Sequence, residues 1–169
     1  YFTHRNILKT LIMNINKMTV CIKYFFLLKF FKNMIYYELG VFMKIIIVGA
    51  GKVGEYLFTD LNTEDNDIIL IEKRQEILNE MLSKYDIMGI SGSGTNYDVL
   101  EEAGVADSDV FISVTESDET NIISCIFAKN MGAKYTIARV RNPEYSSKSG
   151  FVKEVLGIDL VINPEFVAA

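Results

Sequence analysis

The sequence predicts an α/β fold: a doubly wound, six-stranded parallel sheet with helices on both faces. Three observations support this prediction. Short aliphatic runs alternate with segments in which apolar residues recur at helical spacing. A glycine-rich turn, G-x-G-x-x-G over residues 49–54, follows the first run and opens a helical segment. An acidic residue, Glu72, ends the second run.

The predicted strands are short, aliphatic and bounded by turn residues, as buried parallel strands are. They comprise residues 44–48, 67–71, 86–90, 110–114, 135–140 and 160–162. Apolar residues spaced by three and four predict helices after the first, second and fourth strands, and shorter helices are predicted over 97–103 and 151–156. Six strands alternating with helices are typical of a Rossmann sheet of order 3-2-1-4-5-6, whose ligand lies at the carboxyl ends of the first and fourth strands.

The first 42 residues differ from the rest of the chain. Their net charge is +5, whereas residues 43–169 carry −10. Lys23, Lys29 and Lys32 interrupt the most hydrophobic part, so no uncharged run approaches the roughly 20 residues of a membrane-spanning helix. Residues with A/T-rich codons dominate the segment. We therefore expect residues 1–42 to be a leader outside the domain, either translated upstream sequence or a basic amphipathic surface helix. The domain is expected over residues 43–169.

Composition excludes several classes of protein. Half of the residues are hydrophobic and two are Pro, which excludes a disordered or collagen-like chain. Cys21 and Cys125 lie far apart and belong to no Cys/His cluster, so neither a disulfide framework nor a zinc site is indicated. From residue 43 onward acidic residues outnumber basic ones about two to one, which argues against nucleic-acid binding.

The glycine turn predicts a phosphate site. Free backbone N–H groups and the positive end of the helix dipole face an anion there, and the missing side chains permit close approach. Glu72 is placed to accept hydrogen bonds from ribose hydroxyls and would repel a 2′-phosphate. This favours NAD(H) or ATP/ADP over NADP(H), although Lys73 and Arg74 weaken the preference. The alternative is that the glycines serve only tight packing and that Glu72 is a solvated strand end.

Five segments resemble one known family. In chain order they are KIIIVGAGKVGEYL, LIEK, GISGSGTNYDVLEEAGVADSDVFISVTESDETNI, IARVRNPEY and LGIDLVINPE. They resemble the regulator of potassium conductance (RCK) domain, also called the TrkA-N domain, from Met43 to about Glu165. The resemblance implies a cytoplasmic regulatory subunit at the inner face of the cell membrane. Such a subunit binds NAD(H) or ATP/ADP, assembles as dimers into a ring, and gates a separate membrane potassium transporter.

The resemblance also implies roles for individual residues. The three glycines of the turn hold the diphosphate, and Lys52 lies near the phosphates unless it is a surface lysine. Thr115 and Asn121 match a T-x-S-D-E-x-N segment that lines the crevice, with helix capping by Ser117 or Asp118 as the alternative. Arg139 resembles a basic residue near the ligand, or else an interface ion-pair residue.

Ser93 departs from the family pattern, because the family commonly has Asp in the corresponding G-D-x-T segment; contacts to the adenine side are implied over residues 92–95. The complete predicted cofactor-binding set is Gly49, Gly51, Lys52, Val53, Gly54, Glu72, Lys73, Gly92, Ser93, Thr95, Thr115 and Arg139. No metal site is predicted. The acidic residues Glu116, Asp118 and Glu119 have oxygen ligands that suit a divalent cation, but the favoured interpretation is that they complement the positive end of a helix dipole.

The residues do not favour an enzyme. A dehydrogenase needs a proton donor or acceptor beside the nicotinamide, yet His4 lies in the leader, and no tyrosine after Met43 has a lysine four residues on. Cys125 falls among the apolar positions of a helix, where an inert thiol is expected. The main alternatives to a gating module are therefore the cofactor-binding half of an oxidoreductase and a metabolite sensor acting on another partner.

Overall fold

Parallel strands and helices alternate through the computed structural model, which describes residues 43–61, 66–146 and 155–163. The strands are β1 Met43–Val48, β2 Asn66–Glu72, β3 Met88–Ser91, β4 Val110–Ser113, β5 Tyr135–Arg139 and β6 Leu160–Ile162. The helices are α1 Lys52–Leu61, α2 Gln75–Lys84, α3 Tyr97–Glu102, α4 Asp118–Met131 and α5 Pro143–Ser146, with a 3-10 helix at Val105–Asp107. The predicted leader, residues 1–42, and residues 164–169 lie outside the described residues.

All six strands pair in parallel in the order β3-β2-β1-β4-β5-β6, which confirms the predicted Rossmann topology. The central strands are buried on both faces because helices cover both sides of the sheet. In β1, for example, Ile45, Ile46 and Ile47 are each no more than 2% exposed. This explains why their sequences are continuous aliphatic runs rather than alternating ones.

The predicted strands agree with the observed ones to within one or two residues. The third strand begins at Met88 rather than at residue 86. The reason is that Tyr85 caps the end of α2 and its carbonyl accepts a hydrogen bond from the Ile87 N–H in a tight turn. The 3-10 helix and α5 were not predicted, since neither is long enough to show a helical period. Most of the predicted helix 151–156 lies outside the described residues, but Val155 and Leu156 are helical.

The fold places two chain reversals side by side at the carboxyl edge of the sheet. β1 and β4 are neighbours, and the Val114 N–H donates to the Val48 carbonyl at 2.9 Å where both strands end. From this point the chain turns to α1 after β1 and to α4 after β4. A crevice therefore opens between the two turns, as the switch in strand order requires. No helix among the described residues has the length and apolarity needed to cross a membrane.

Candidate functional site

The three glycines of the turn have different structural roles. Gly49 has a positive φ of 98°, and its N–H donates to the Ile71 carbonyl at 2.9 Å. A Cβ on Gly54 would overlap the carbonyl oxygen of Gly49, so this glycine lets α1 pack against the turn. A Cβ on Gly51, in contrast, would meet no atom within 4 Å. The first and third glycines thus shape the turn, whereas the second leaves its backbone open to the crevice.

Glu72 reaches from the end of β2 to this turn. Its side chain is 6% exposed, and its Oε2 accepts a hydrogen bond from the Ala50 N–H at 2.9 Å. Its Oε1 accepts two more, from the N–H and the Nε of Arg74, both at 3.0 Å. The carboxylate therefore lies directly beside the glycine backbone, and the alternative of a solvated strand end is excluded.

The glycine turn and Glu72 line one cleft of about 280 Å³. Six of the predicted cofactor-binding residues contribute to its wall: Gly49, Gly51, Glu72, Lys73, Gly92 and Thr115. The other six do not: Lys52, Val53, Gly54, Ser93, Thr95 and Arg139. Val48, Ile71 and Val114 supply apolar surface at its base. The cleft thus combines open backbone, one buried carboxylate and an apolar floor, which is typical of small-molecule sites.

The six predicted residues outside the cleft wall lie close to residues that line it, either along the chain or, for Arg139, through a hydrogen bond. Lys52 and Val53 begin α1, with the lysine exposed. The hydroxyl groups of Ser93 and Thr95 are 2.9 Å apart, and the Thr95 N–H donates to the Ser93 Oγ at 3.3 Å. Arg139 donates from Nη1 to the Thr115 carbonyl at 3.2 Å, while its buried Nε has no hydrogen-bond partner among the described residues.

Besides the three apolar residues at its base, five lining residues were absent from the predicted set: Arg74, Gly94, Glu116, Ser117 and Thr120. From the sequence, Arg74 is expected only to weaken the preference between ligands. Helix capping by Ser117 or Asp118 is the alternative to crevice lining there, and the Ser117 Oγ accepts from the Thr120 N–H at 3.1 Å at the start of α4. Arg74, Glu116 and Ser117 lie within three residues of predicted strand ends, so their position relative to the sheet is a signal that could have identified them.

Asn121 supports the cleft from below rather than lining it. It is fully buried, and its Oδ1 accepts from the Thr115 N–H at 2.8 Å and from the hydroxyl groups of Ser113 and Thr115. Its Nδ2 donates to the carbonyl oxygens of Thr115 and, at 2.8 Å, Arg139. One amide therefore joins the carboxyl ends of β4 and β5.

Asp118 also serves the structure. Its Oδ2 accepts from the N–H groups of Arg141 and Asn142, at 2.9 and 2.7 Å, and so anchors the segment after β5. The Arg141 side chain donates in turn to the Glu116 carbonyl. Among the described residues, no group of three or more His, Cys, Asp or Glu is arranged to hold a metal ion.

The environment of Glu72 predicts a pH dependence of stability. Burial alone would raise its pKa, but the hydrogen bonds from the Arg74 side chain and from the two backbone N–H groups outweigh this and lower the pKa below 4.5. A lowered folded-state pKa stabilises the fold above the unfolded-state value and loses that stabilisation as the pH falls through the folded-state value. We expect the free energy of unfolding to change little from pH 7 to 5 and to fall below pH 4.5.

Urea unfolding of the wild type and of Glu72→Gln between pH 3 and 7 checks this expectation. Asp109, whose pKa is also lowered by Lys134 and the Lys44 N–H despite burial, contributes to the same acid limb in both proteins. The variant, which has no carboxylate at position 72, should therefore show a shallower but not a flat profile. Parallel profiles for the two proteins would contradict the assigned role of Glu72.

Comparison with known proteins identifies relatives of this sequence. The model of the TrkA-N domain family matches residues 45–164. The Trk system potassium uptake protein TrkA homolog of Archaeoglobus fulgidus is 42% identical over 127 residues, which are 75% of this chain and 29% of that protein. The Trk system potassium uptake protein TrkA of Vibrio alginolyticus is 39% identical over 126 residues, 73% of this chain and 28% of that protein. The chain thus spans less than a third of the length of either relative.

Solved structures share the fold at low sequence identity. The TrkA-N domain of the inner membrane protein ybaL from Escherichia coli superposes with a TM-score of 0.64 at 19% identity, covering 73% of this chain and 88% of that one. The GsuK channel bound to NAD gives 0.61 at 18% identity, covering 83% and 27%. GsuK bound to ADP gives 0.61 at 18%, covering 82% and 37%. The match of the family model to residues 45–164 and the two potassium uptake relatives show that the chain belongs to the TrkA-N domain family.

Proposed function

We propose that this chain binds an adenine nucleotide, NAD(H) or ATP/ADP, in the cleft beside Gly51 and uses it to regulate a membrane potassium transporter. The observation that carries the proposal is the convergence of the open Gly51 backbone and the buried Glu72 carboxylate on one cleft. A diphosphate needs unobstructed N–H groups at a helix start, and a ribose needs a fixed acceptor. Both features meet at the turn after β1, where Glu72 accepts a hydrogen bond from the Ala50 N–H.

The comparisons support the nucleotide class and the partner. One structural neighbour is a channel bound to NAD and another is bound to ADP, and the sequence relatives are potassium uptake proteins. We therefore infer that the chain lies at the cytoplasmic face of the membrane as one subunit of a homo-oligomeric ring. In this function it carries out no catalytic step.

Contacts around the cleft suggest how binding is transmitted. Thr115 and Glu116 line the cleft, and Asn121 and Arg141 tie these two residues to the end of β5. A ligand shifts an equilibrium only through different affinities for two states, typically with a coupling of about 1 to 3 kcal/mol. Nucleotides that make different contacts with the segment after β4 would thus shift the segment after β5 to different extents. Neighbouring subunits would respond by changing their packing.

Nucleotide titration of the chain tests the proposal. We expect NADH, NAD, ATP or ADP to bind measurably by calorimetry, and Glu72→Ala to weaken the binding about 10- to 100-fold, because a hydrogen bond to a charged acceptor contributes about 1.5 to 3 kcal/mol. Glu76→Ala, which removes an exposed carboxylate from the first turn of α2, is the matched control. Equal affinities in the wild type and Glu72→Ala would remove Glu72 from the site.

A flux measurement separates regulation from catalysis. The partner transporter is reconstituted with this chain in vesicles. Its potassium flux should change when the nucleotide that binds in the titration is added. Hydride exchange between NADH and a small carbonyl substrate, with no effect on flux, would instead favour the cofactor-binding half of an oxidoreductase.

A further inference from the structure

Most hydrogen-bond acceptor positions of Glu72 are already in use. A carboxylate oxygen accepts about two hydrogen bonds. Oε1 accepts from both the N–H and the Nε of Arg74, and Oε2 accepts from the Ala50 N–H. Among the described residues, a single acceptor position, on Oε2, has no donor.

A ribose with free 2′ and 3′ hydroxyls offers two donors to one carboxylate. With Arg74 in place, Glu72 accepts only one of them. The Ala50 N–H and the Arg74 N–H belong to the backbone and are fixed by the turn and by the start of α2. The Nε of Arg74 is therefore the donor that a second hydroxyl has to displace.

For a ribose that carries a 2′-phosphate, the effect of Arg74 on binding is reversed. It repels Glu72, but a guanidinium beside the carboxylate pairs with phosphate oxygens through charge-assisted hydrogen bonds. Arg74 is suited to this, because its side chain is 56% exposed and lines the same cleft as Glu72. Glu116, across the cleft, is a second carboxylate that attracts the guanidinium when it leaves Glu72.

We propose that Arg74 determines which ribose the cleft accepts: it opposes a ribose with two free hydroxyls by occupying Glu72, and it favours one that carries a 2′-phosphate. This inference rests on the nucleotide-binding function proposed above. Arg74 is thereby a specificity residue of the site, and the cleft accepts NADP(H)-type ligands better than Glu72 alone would permit.

Two pairs of probes that differ only in the 2′-phosphate test the proposal: NADH with NADPH, and AMP with adenosine 2′,5′-bisphosphate. The measured quantity is the ratio of the Kd of the phosphorylated probe to that of its partner. Arg74→Ala should raise this ratio at least tenfold, because it both frees Glu72 for the hydroxyls and removes a charged partner of the phosphate. Arg74→Lys, which keeps the charge but lacks the planar group, should give an intermediate ratio.

Lys84→Ala is the control. It removes the same charge from an exposed lysine at the end of α2, away from the cleft wall, so it should leave both affinities of a pair and their ratio within about threefold. A ratio unchanged by Arg74→Ala and Arg74→Lys, or raised equally by Lys84→Ala, would overturn the role of Arg74 while leaving the nucleotide site intact. Failure of the wild-type chain to bind any of the four probes would also overturn the role of Arg74, and failure to bind ATP and ADP as well would overturn the proposed function.

Discussion

Replacing Gly54 with alanine is expected to lower the free energy of unfolding by about 1 to 2 kcal/mol. The new Cβ would overlap the carbonyl oxygen of Gly49, and a backbone atom in a tight turn has little freedom to move away. Overpacking of this kind costs typically about 1 to 3 kcal/mol, whereas the better helix propensity of alanine returns at most about 1 kcal/mol. The clash therefore dominates, and urea or thermal unfolding measures its cost.

Gly51→Ala is the matched comparison within the same turn. Its Cβ would meet no protein atom within 4 Å, and Gly51 does not have a positive φ. The stability of this variant should stay within about 0.5 kcal/mol of the wild type, as for substitutions away from packed features. Its nucleotide affinity should nevertheless fall at least tenfold, because the methyl group projects where the diphosphate approaches the backbone. Loss of stability in Gly51→Ala, or unchanged affinity, would contradict the separate roles of the two glycines.

The sheet could be predicted because each of its strands is a local pattern. A buried parallel strand is aliphatic on both faces, so segments such as KIIIV in β1 and DIILI in β2 stand out from the helices between them. The handedness of the crossovers then restricts the strand order to very few alternatives. Boundaries were less certain, because they depend on individual turn hydrogen bonds such as that from Ile87 to Tyr85.

The site could be predicted only in part. The glycine turn and Glu72 form a motif whose spacing is set by one strand-helix-strand unit, so sequence alone located both. The partners of those residues depend on side-chain geometry across the sheet. Nothing in the pattern showed that Arg74 would hold Glu72, or that Asn121 would join β4 to β5 from beneath the cleft. The resemblance implies that Arg139 lies near the ligand, and its guanidinium donates to the carbonyl of Thr115, a residue of the cleft wall.

Asn121→Ala is expected to destabilise the fold by about 3 to 4 kcal/mol and to weaken nucleotide binding. The substitution leaves the Thr115 N–H without its acceptor and takes a donor from the Arg139 carbonyl, and the Asn121 side chain that makes both contacts is fully buried. Each buried polar group left unsatisfied costs about 1 to 3 kcal/mol, and the cavity adds to this. Because Thr115 lines the cleft, the loosened end of β4 should also reduce affinity.

Asn130→Ala, on the same helix, is the matched control, because it shows what the loss of an asparagine costs where no such network is present. Asn130 is exposed and, among the described residues, its side chain donates only to the Ile126 carbonyl one turn earlier, so its replacement should change stability by less than about 0.5 kcal/mol. Unfolding in urea at pH 7 gives both values, and titration of each folded variant gives the affinities. A loss of less than about 1 kcal/mol in the free energy of unfolding of Asn121→Ala would mean that the amide does not hold the carboxyl ends of β4 and β5 together. The proposed route from the cleft to β5 would then lose its central contact.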